Sequence, residues 1–155
     1  MQVRPAIPTD AERMSRVLAE IIAVTGKDRA HDPASVLSRY ITYPTRVACS
    51  VAVDEHGDIL GFQSLKKAEV GNSYDTPVGW GIIGTHIRPS AHRRGVGKAL
   101  FAQSKAAAVV AGLPKIDAYI GADSPAALAY YDAMGFVTYR ETETIIRKAF
   151  DCDLP

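Results

Sequence analysis

The chain has 155 residues, 47% of them apolar and 23% charged, which suits one domain over residues 1–155 with a buried core and excludes a disordered or fibrous chain. Eighteen Lys and Arg stand against 17 Asp and Glu, a formal charge of +1, so nothing supports a general binder of nucleic acid or acidic membrane. The cysteines, Cys49 and Cys152, fit neither a disulfide framework nor a zinc spacing, and no metal is expected.

Met1–Pro5 lacks the basic-then-apolar pattern of a secretory signal. The longest apolar stretch, counting glycine, is Ala106–Leu113, far too short to span a bilayer. A cytoplasmic protein is expected. Thr9, followed by Asp10-Ala11-Glu12, has the spacing of a capping box. Met14, Val17, Leu18, Ile21 and Ile22 follow at helical spacing until Gly26. Asp32-Pro33 opens a second short helix, with Val36, Leu37 and Tyr40 inward and Pro44 as its end.

The period then changes. Val47–Val53 and Ile59–Lys66 flank the turn Asp54–Asp58 and predict a hairpin. Ala68–Pro77 is a polar loop. Val78–Arg88 predicts a third strand, and its three glycines suggest a bulge or a close backbone approach. Lys98–Ala111 is alanine-rich and helical, stopped by Gly112 and Pro114. Lys115–Gly121 is a strand with Ile116, Ala118 and Ile120 on one face. A last helix opens at Ser124-Pro125 and ends at Gly135, and Phe136–Arg140 and Thr144–Phe150 are two closing strands. This order gives an α/β (α+β) domain around one central mixed sheet.

The chemistry concentrates between Ile87 and Leu100, in Ile-Arg-Pro-Ser-Ala-His-Arg-Arg-Gly-Val-Gly-Lys-Ala-Leu. A strand ends, a basic, glycine-bearing loop follows, and a helix begins. Helix N-terminal amides lack partners and carry partial positive charge. Gly95 and Gly97 let a ligand approach, and Arg93, Arg94 and Lys98 add full charges, so the physical reading is a pyrophosphate cradle. Two nucleotide motifs fail: Ala99 follows Gly97-Lys98 where a Ser or Thr is needed, and Leu100 stands where a third glycine belongs.

This segment resembles the GNAT acyltransferases, whose motif is Gln/Arg-x-x-Gly-x-Gly/Ala after a strand ending Val-x-Pro. Here the strand ends Ile87-Arg88-Pro89, and His92 stands in the first motif position. A second block, Ser124 to Phe136, resembles the family's Asn-x-x-Ala-x-x-x-Tyr-x-x-x-Gly-Phe, with Tyr131, Gly135 and Phe136 in register and Ser124 for Asn. The order of elements agrees over residues 3–150, and the layout is similar to phosphinothricin and amino-acid acetyltransferases.

The resemblance implies a mostly antiparallel sheet of about six or seven strands flanked by about four helices. It implies acetyl-CoA as acyl donor and direct attack by a primary amine of a small molecule or amino acid, without an acyl-enzyme. The donor's contacts would come from Thr85, His86, Ile87, Arg93, Arg94, Gly95, Val96, Gly97, Lys98, Ser124 and Tyr131. Tyr131 takes the general-acid place, and a phenol with a pKa of about 10 can protonate the departing thiolate. Tyr130, about 100° away on the helix, is left to packing or substrate lining. A lysine-like amine is neutral only about once in 2,500 molecules at pH 7, a penalty of roughly 4.6 kcal/mol, so a base is useful. Relatives often place a carboxylate on the strand before the loop; here His86 is the only titratable residue of that stretch and is the candidate base. Glu69 and Asp75, in the loop before, are alternatives. Trp80, Tyr74, Glu69 and the loop Thr25–Asp32 are the candidate acceptor walls, and relatives imply a homodimer. Two other readings stay open: a non-catalytic CoA-binding subunit, and acetylation of a protein or aminoacyl-tRNA.

Overall fold

The computed structural model describes residues 1–153. Seven strands form one sheet: β1 (Gln2–Pro5), β2 (Arg46–Val53), β3 (Ile59–Lys67), β4 (Gly81–Ile87), β5 (Lys115–Gly121), β6 (Val137–Glu141) and β7 (Ile145–Asp151). Their spatial order is β1-β2-β3-β4-β5-β7-β6. Every neighbouring pair is antiparallel except β4 and β5. The helices are α1 (Ala11–Thr25), α2 (Pro33–Val36), α3 (Val96–Val110) and α4 (Pro125–Ala133). This is the mixed, mostly antiparallel sheet with four helices that the resemblance implied.

Period-2 and period-3.6 patterns meet on two faces. On one, Met14, Val17 and Leu18 of α1 and Val36 and Tyr40 around α2 bury against Val51 and Phe62. On the other, Phe101 and Ala108 of α3 and Tyr131 of α4 bury against Leu65, Ile83, Ile116 and Ala118. Each fully buried side chain of this size stabilises by roughly 1.5–3 kcal/mol. Cys49 lies in the first core, where burial pushes its thiol up to about 12 and leaves it inert.

Helix ends fall where local chemistry sets them. Gly26 closes α1 at φ 70°, and the Asp32 carboxylate accepts the Ser35 amide at 3.1 Å with Pro33 in the first turn. Three expectations need correction, and one strand was not foreseen. Thr9 does not cap α1; a 3-10 turn over Pro8–Asp10 leads in, and Asp10 accepts the Ile7 amide at 2.9 Å. The second helix is short and continues as a π-type turn over Leu37–Ile41. Strand β4 begins at Gly81, because Val78–Trp80 turns, with Trp80 donating to the Pro77 carbonyl. Strand β1 carried no readable signal: four residues with Arg4 and Pro5 at a sheet edge lack a buried face.

No bulge interrupts β4 on its β3 side, where Gly61–Lys67 pairs continuously with Ile87–Gly81. The irregularity lies on the other side. β4 pairs with β5 only at Gly81↔Ile116 and Ile82↔Asp117. Beyond Ile82 the two strands diverge, and Ile83–Ile87 has no strand on its β5 edge.

Candidate functional site

Two features define the first half of the site: the fork between β4 and β5, and the loop between β4 and α3. Backbone groups alternate sides along a strand, so half of those in Ile83–Ile87 are left without a ladder partner. After a 3-10 turn over Pro89–Ala91 the loop reaches α3 through Arg93 at φ 62° and Gly95 at φ 77°. Two left-handed residues so close together bend the loop sharply and let successive amides face one concavity. Among the described residues, the six amides of Arg93 through Lys98 donate to no protein acceptor; the first bonded amide is Ala99, to the Gly95 carbonyl at 3.1 Å. Arg93 holds a conformation that a non-glycine residue adopts at a cost of roughly 1–2 kcal/mol, as expected where function overrides local preference.

The glycines of the loop differ in purpose. Gly95 meets nothing within 4 Å and is needed for its φ. Gly97 is needed for space, since a Cβ there would lie 2.5 Å from Cε1 of Tyr130. Tyr130 reaches that point to donate its hydroxyl to the Gly97 carbonyl at 2.7 Å, tying α4 to the first turn of α3.

At the fork, a hydroxyl cluster faces α3 and α4. Tyr131 is 6% exposed and its hydroxyl lies 2.8 Å from Oγ1 of Thr85. The amide of Gln63 spends both its N–H groups here, on Thr85 Oγ1 at 2.9 Å and on the Tyr130 hydroxyl at 3.0 Å. Burial pushes the Tyr131 phenol above its ordinary value, and the Thr85 bond pulls it back. Burial likewise moves Tyr130 up to about 12. Both phenols therefore keep their protons at neutral pH. Ser124 sits before α4, but its hydroxyl accepts from Lys27 Nζ at 3.0 Å, and Lys27 also pairs with Asp123 at 2.5 Å. The loop after α1 thus bridges to the loop after β5.

His86 points to the opposite face. It is 8% exposed, with ring centroids 4.8 Å from Phe62 and 5.5 Å from Tyr40. Burial first, then the charges of Arg29 and Lys66, push its pKa down to about 3. A group that weak does not take protons from an amine at neutral pH, so the expected base role does not suit this geometry. On the same face, a cleft of about 470 Å³ opens beside Ile82, lined by Arg39, Tyr40, Lys66, Glu69 and Tyr74 among others. Glu69 and Tyr74, two of the candidate acceptor walls, thus line one cleft. Trp80 is absent from this lining; it packs on Tyr139 at 5.6 Å, with Lys115 over its ring.

Sequence reasoning missed a buried ionic knot under this face. Asp117 is 0% exposed, pairs with Arg147, and accepts from Thr76 at 2.6 Å and Tyr139 at 2.7 Å. It ties the loop before β4 to β5, β6 and β7. A polar residue inside Ile-Asp-Ala looks like any solvent-facing strand position, so no local signal marked it.

The sequence profile of the Acetyltransferase (GNAT) family matches residues 17–136, which include the fork, the loop and α4. The chain belongs to the GNAT acetyltransferase family. Among curated proteins, the mycothiol acetyltransferase of Streptomyces scabiei is 41% identical over 61 residues, a stretch that is 39% of this chain and 20% of that protein. The chain therefore matches only about a fifth of that relative's length. Among solved structures, a GCN5-related N-acetyltransferase from Kribbella flavida superimposes with a TM-score of 0.78 at 20% identity, over 97% of this chain and 96% of that one. A phosphinothricin acetyltransferase from Sinorhizobium meliloti, in complex with AcCoA, gives 0.76 at 19% identity over 97% and 87%. These likenesses show the GNAT fold.

Proposed function

We propose that this protein transfers the acetyl group of acetyl-CoA to a primary amine of a small molecule or amino acid, by direct attack. The observation that carries the reading is the run of six unpartnered amides, Arg93–Lys98, at the head of α3, opening onto the free edge Ile83–Ile87 of β4. The first is a receptor for a diphosphate and the second for an extended chain of amides, the two chemistries joined in CoA. Arg93, Arg94 and Lys98 add charge around the diphosphate, with Val96 as a further amide donor. Thr85 and Ile87 turn their backbone groups to the free edge and Thr85 adds its hydroxyl, whereas His86, in phase with Arg88, whose amide donates to the Leu60 carbonyl, turns its own backbone to β3. Ser124, engaged with Lys27, would contact the donor only by changing partners.

Five residues of extended strand span about 17 Å, so a donor gripped at the loop and laid along β4 brings its far end toward Ile82. There the cleft of Glu69 and Tyr74 meets the fork. The amine nitrogen forms a bond to the acetyl carbon, the carbon–sulfur bond breaks, and Tyr131 gives its proton to the sulfur. Thr85 donates to the resulting phenolate. The amine's proton leaves to water or to Glu69, and cations around the cleft make the ammonium form less favourable.

The test is acetyl-CoA binding by calorimetry together with CoA release over an amine panel. Tight binding and release with at least one amine are expected; no binding ends the proposal, and binding without transfer to any amine selects the non-catalytic reading. Tyr131→Phe should lower kcat by about a hundredfold with acetyl-CoA affinity nearly intact; unchanged kcat removes the acid role.

A further inference from the structure

The cleft beside Ile82 carries three cations, Arg39, Lys66 and Lys67, against one carboxylate, Glu69. Several cations of the chain are paired: Arg88 with Glu20, Lys148 with Asp132, Arg147 with Asp117. Among the described residues, the three cleft cations make no ion pair and no side-chain hydrogen bond. Lys66 is half-buried, with its ammonium 4.1 Å from the centroid of the Tyr43 ring and 5.4 Å from that of Tyr40. Aromatic faces hold a cation in place without neutralising it. Burial, and after it the charge of Arg39, lower the Lys66 pKa. Like charges are thus kept close on a partly desolvated wall, an arrangement that becomes favourable when a negative group enters.

The geometry points to an acceptor that carries an acid group as well as its amine, with Arg39 and Lys66 holding the acid. This rests on the proposed transfer, which sets the amine at the fork beside Ile82. The guanidinium of Arg39 offers a two-pronged fork and Lys66 a point charge, a combination suited to carboxylate, sulfonate or phosphonate. Tyr40 and Tyr74 flank the carbon skeleton between the acid and the amine. The substrate class is therefore an amino acid in the broad sense, a short zwitterion, rather than a simple alkylamine or a polyamine.

The test uses matched acceptors on the full chain: taurine against ethanolamine, and 3-aminopropanoate against its amide. CoA release should give the acid-bearing member of each pair a kcat/KM higher by about tenfold or more, carried by KM. Lys66→Met, which keeps the stem on Tyr43, and Arg39→Gln, which changes an exposed side chain, should each shrink that preference to about threefold or less. Equal kcat/KM within the pairs, or a preference that survives both variants, overturns the inference while acetyl transfer stands. A second arm reads binding without turnover: calorimetry of N-acetyltaurine and N-acetylethanolamine with the CoA-saturated protein. If no amine is acetylated, the transfer reading falls. Selective N-acetyltaurine binding that Lys66→Met removes then sustains the acid site, and equal or absent binding overturns it.

Discussion

Lowering the pH from 7 to 5 should destabilise this fold through one residue, His86. The imidazole is wedged between Tyr40 and Phe62, and its pKa is pushed down to about 3 by burial and by Arg29 and Lys66. In the unfolded chain a histidine titrates near 6.5. Between those two values the unfolded state binds a proton that the folded state refuses, so stability is full above about pH 6.5 and is lost as pH falls toward 3. At pH 5 the loss is 1.36 × 1.5, about 2 kcal/mol, and at pH 3 and below it approaches about 5 kcal/mol. Two kilocalories is a large share of the ~5–15 kcal/mol typical of a domain. The assay is urea denaturation at pH 7 and pH 5 for the natural chain and for His86→Met, whose flexible side chain fills the slot without titrating. The natural chain should lose about 2 kcal/mol more than the variant between the two pH values. Equal losses would refute the placement of a neutral, desolvated imidazole between the rings. His86→Met should also retain acetyl transfer, because a group titrating so low takes no part in deprotonating an amine.

Three further outcomes follow from contacts already described. Thr85→Val removes the hydrogen bond that pulls the Tyr131 phenol down, so kcat should fall roughly fivefold to tenfold, about one hydrogen bond's worth, and Thr85→Ser should restore it; steady-state CoA release reads both. Gly97→Ala drives a methyl into the Tyr130 ring and should destabilise by about 1–3 kcal/mol in chemical denaturation, whereas Gly95→Ala, which meets no neighbour, should cost only its backbone strain of about 1 kcal/mol. Asp117→Ala strands the buried Arg147 charge and should lower stability by about 3–5 kcal/mol, with Asp117→Ala plus Arg147→Met recovering part of it.

Much of the fold was legible because its boundaries are written in local chemistry. Gly26, Asp32-Pro33, Gly112 with Pro114, and Gly135 end or begin elements where backbone sterics demand it, and the alternation of Ile116, Ala118 and Ile120 marked a buried strand face. The turn into α3 was legible for the same reason: loop, glycines and helix start are contiguous in sequence. What escaped is non-local. Asp117 and Arg147 are 30 residues apart, and Thr76 and Asp117 are 41 apart, so only the sheet order brings them together. Arg39, Lys66 and Lys67 come from a turn after α2 and from β3, and no spacing rule joins them. The divergence of β4 from β5 is a property of pairing, which composition does not encode. Gly97 was assigned to ligand approach from its motif, and its crowding by Tyr130 became visible only with α4 in place.

The seven strands are better regarded as two smaller sheets, β1-β2-β3-β4 and β5-β7-β6, fastened along their shared border by two residue pairs at one end. A border so briefly stitched acts as the vacant berth of a missing eighth member. An elongated guest lying there would complete the pleat from both sides; without one, the halves are joined by those two pairs, by the shared core of Leu65, Ile83, Ile116 and Ala118, and by the bond of Thr76 to Asp117. The same opening that admits the guest is thus the weakest seam of the architecture, and its occupation should be felt as added resistance to unfolding across the whole molecule.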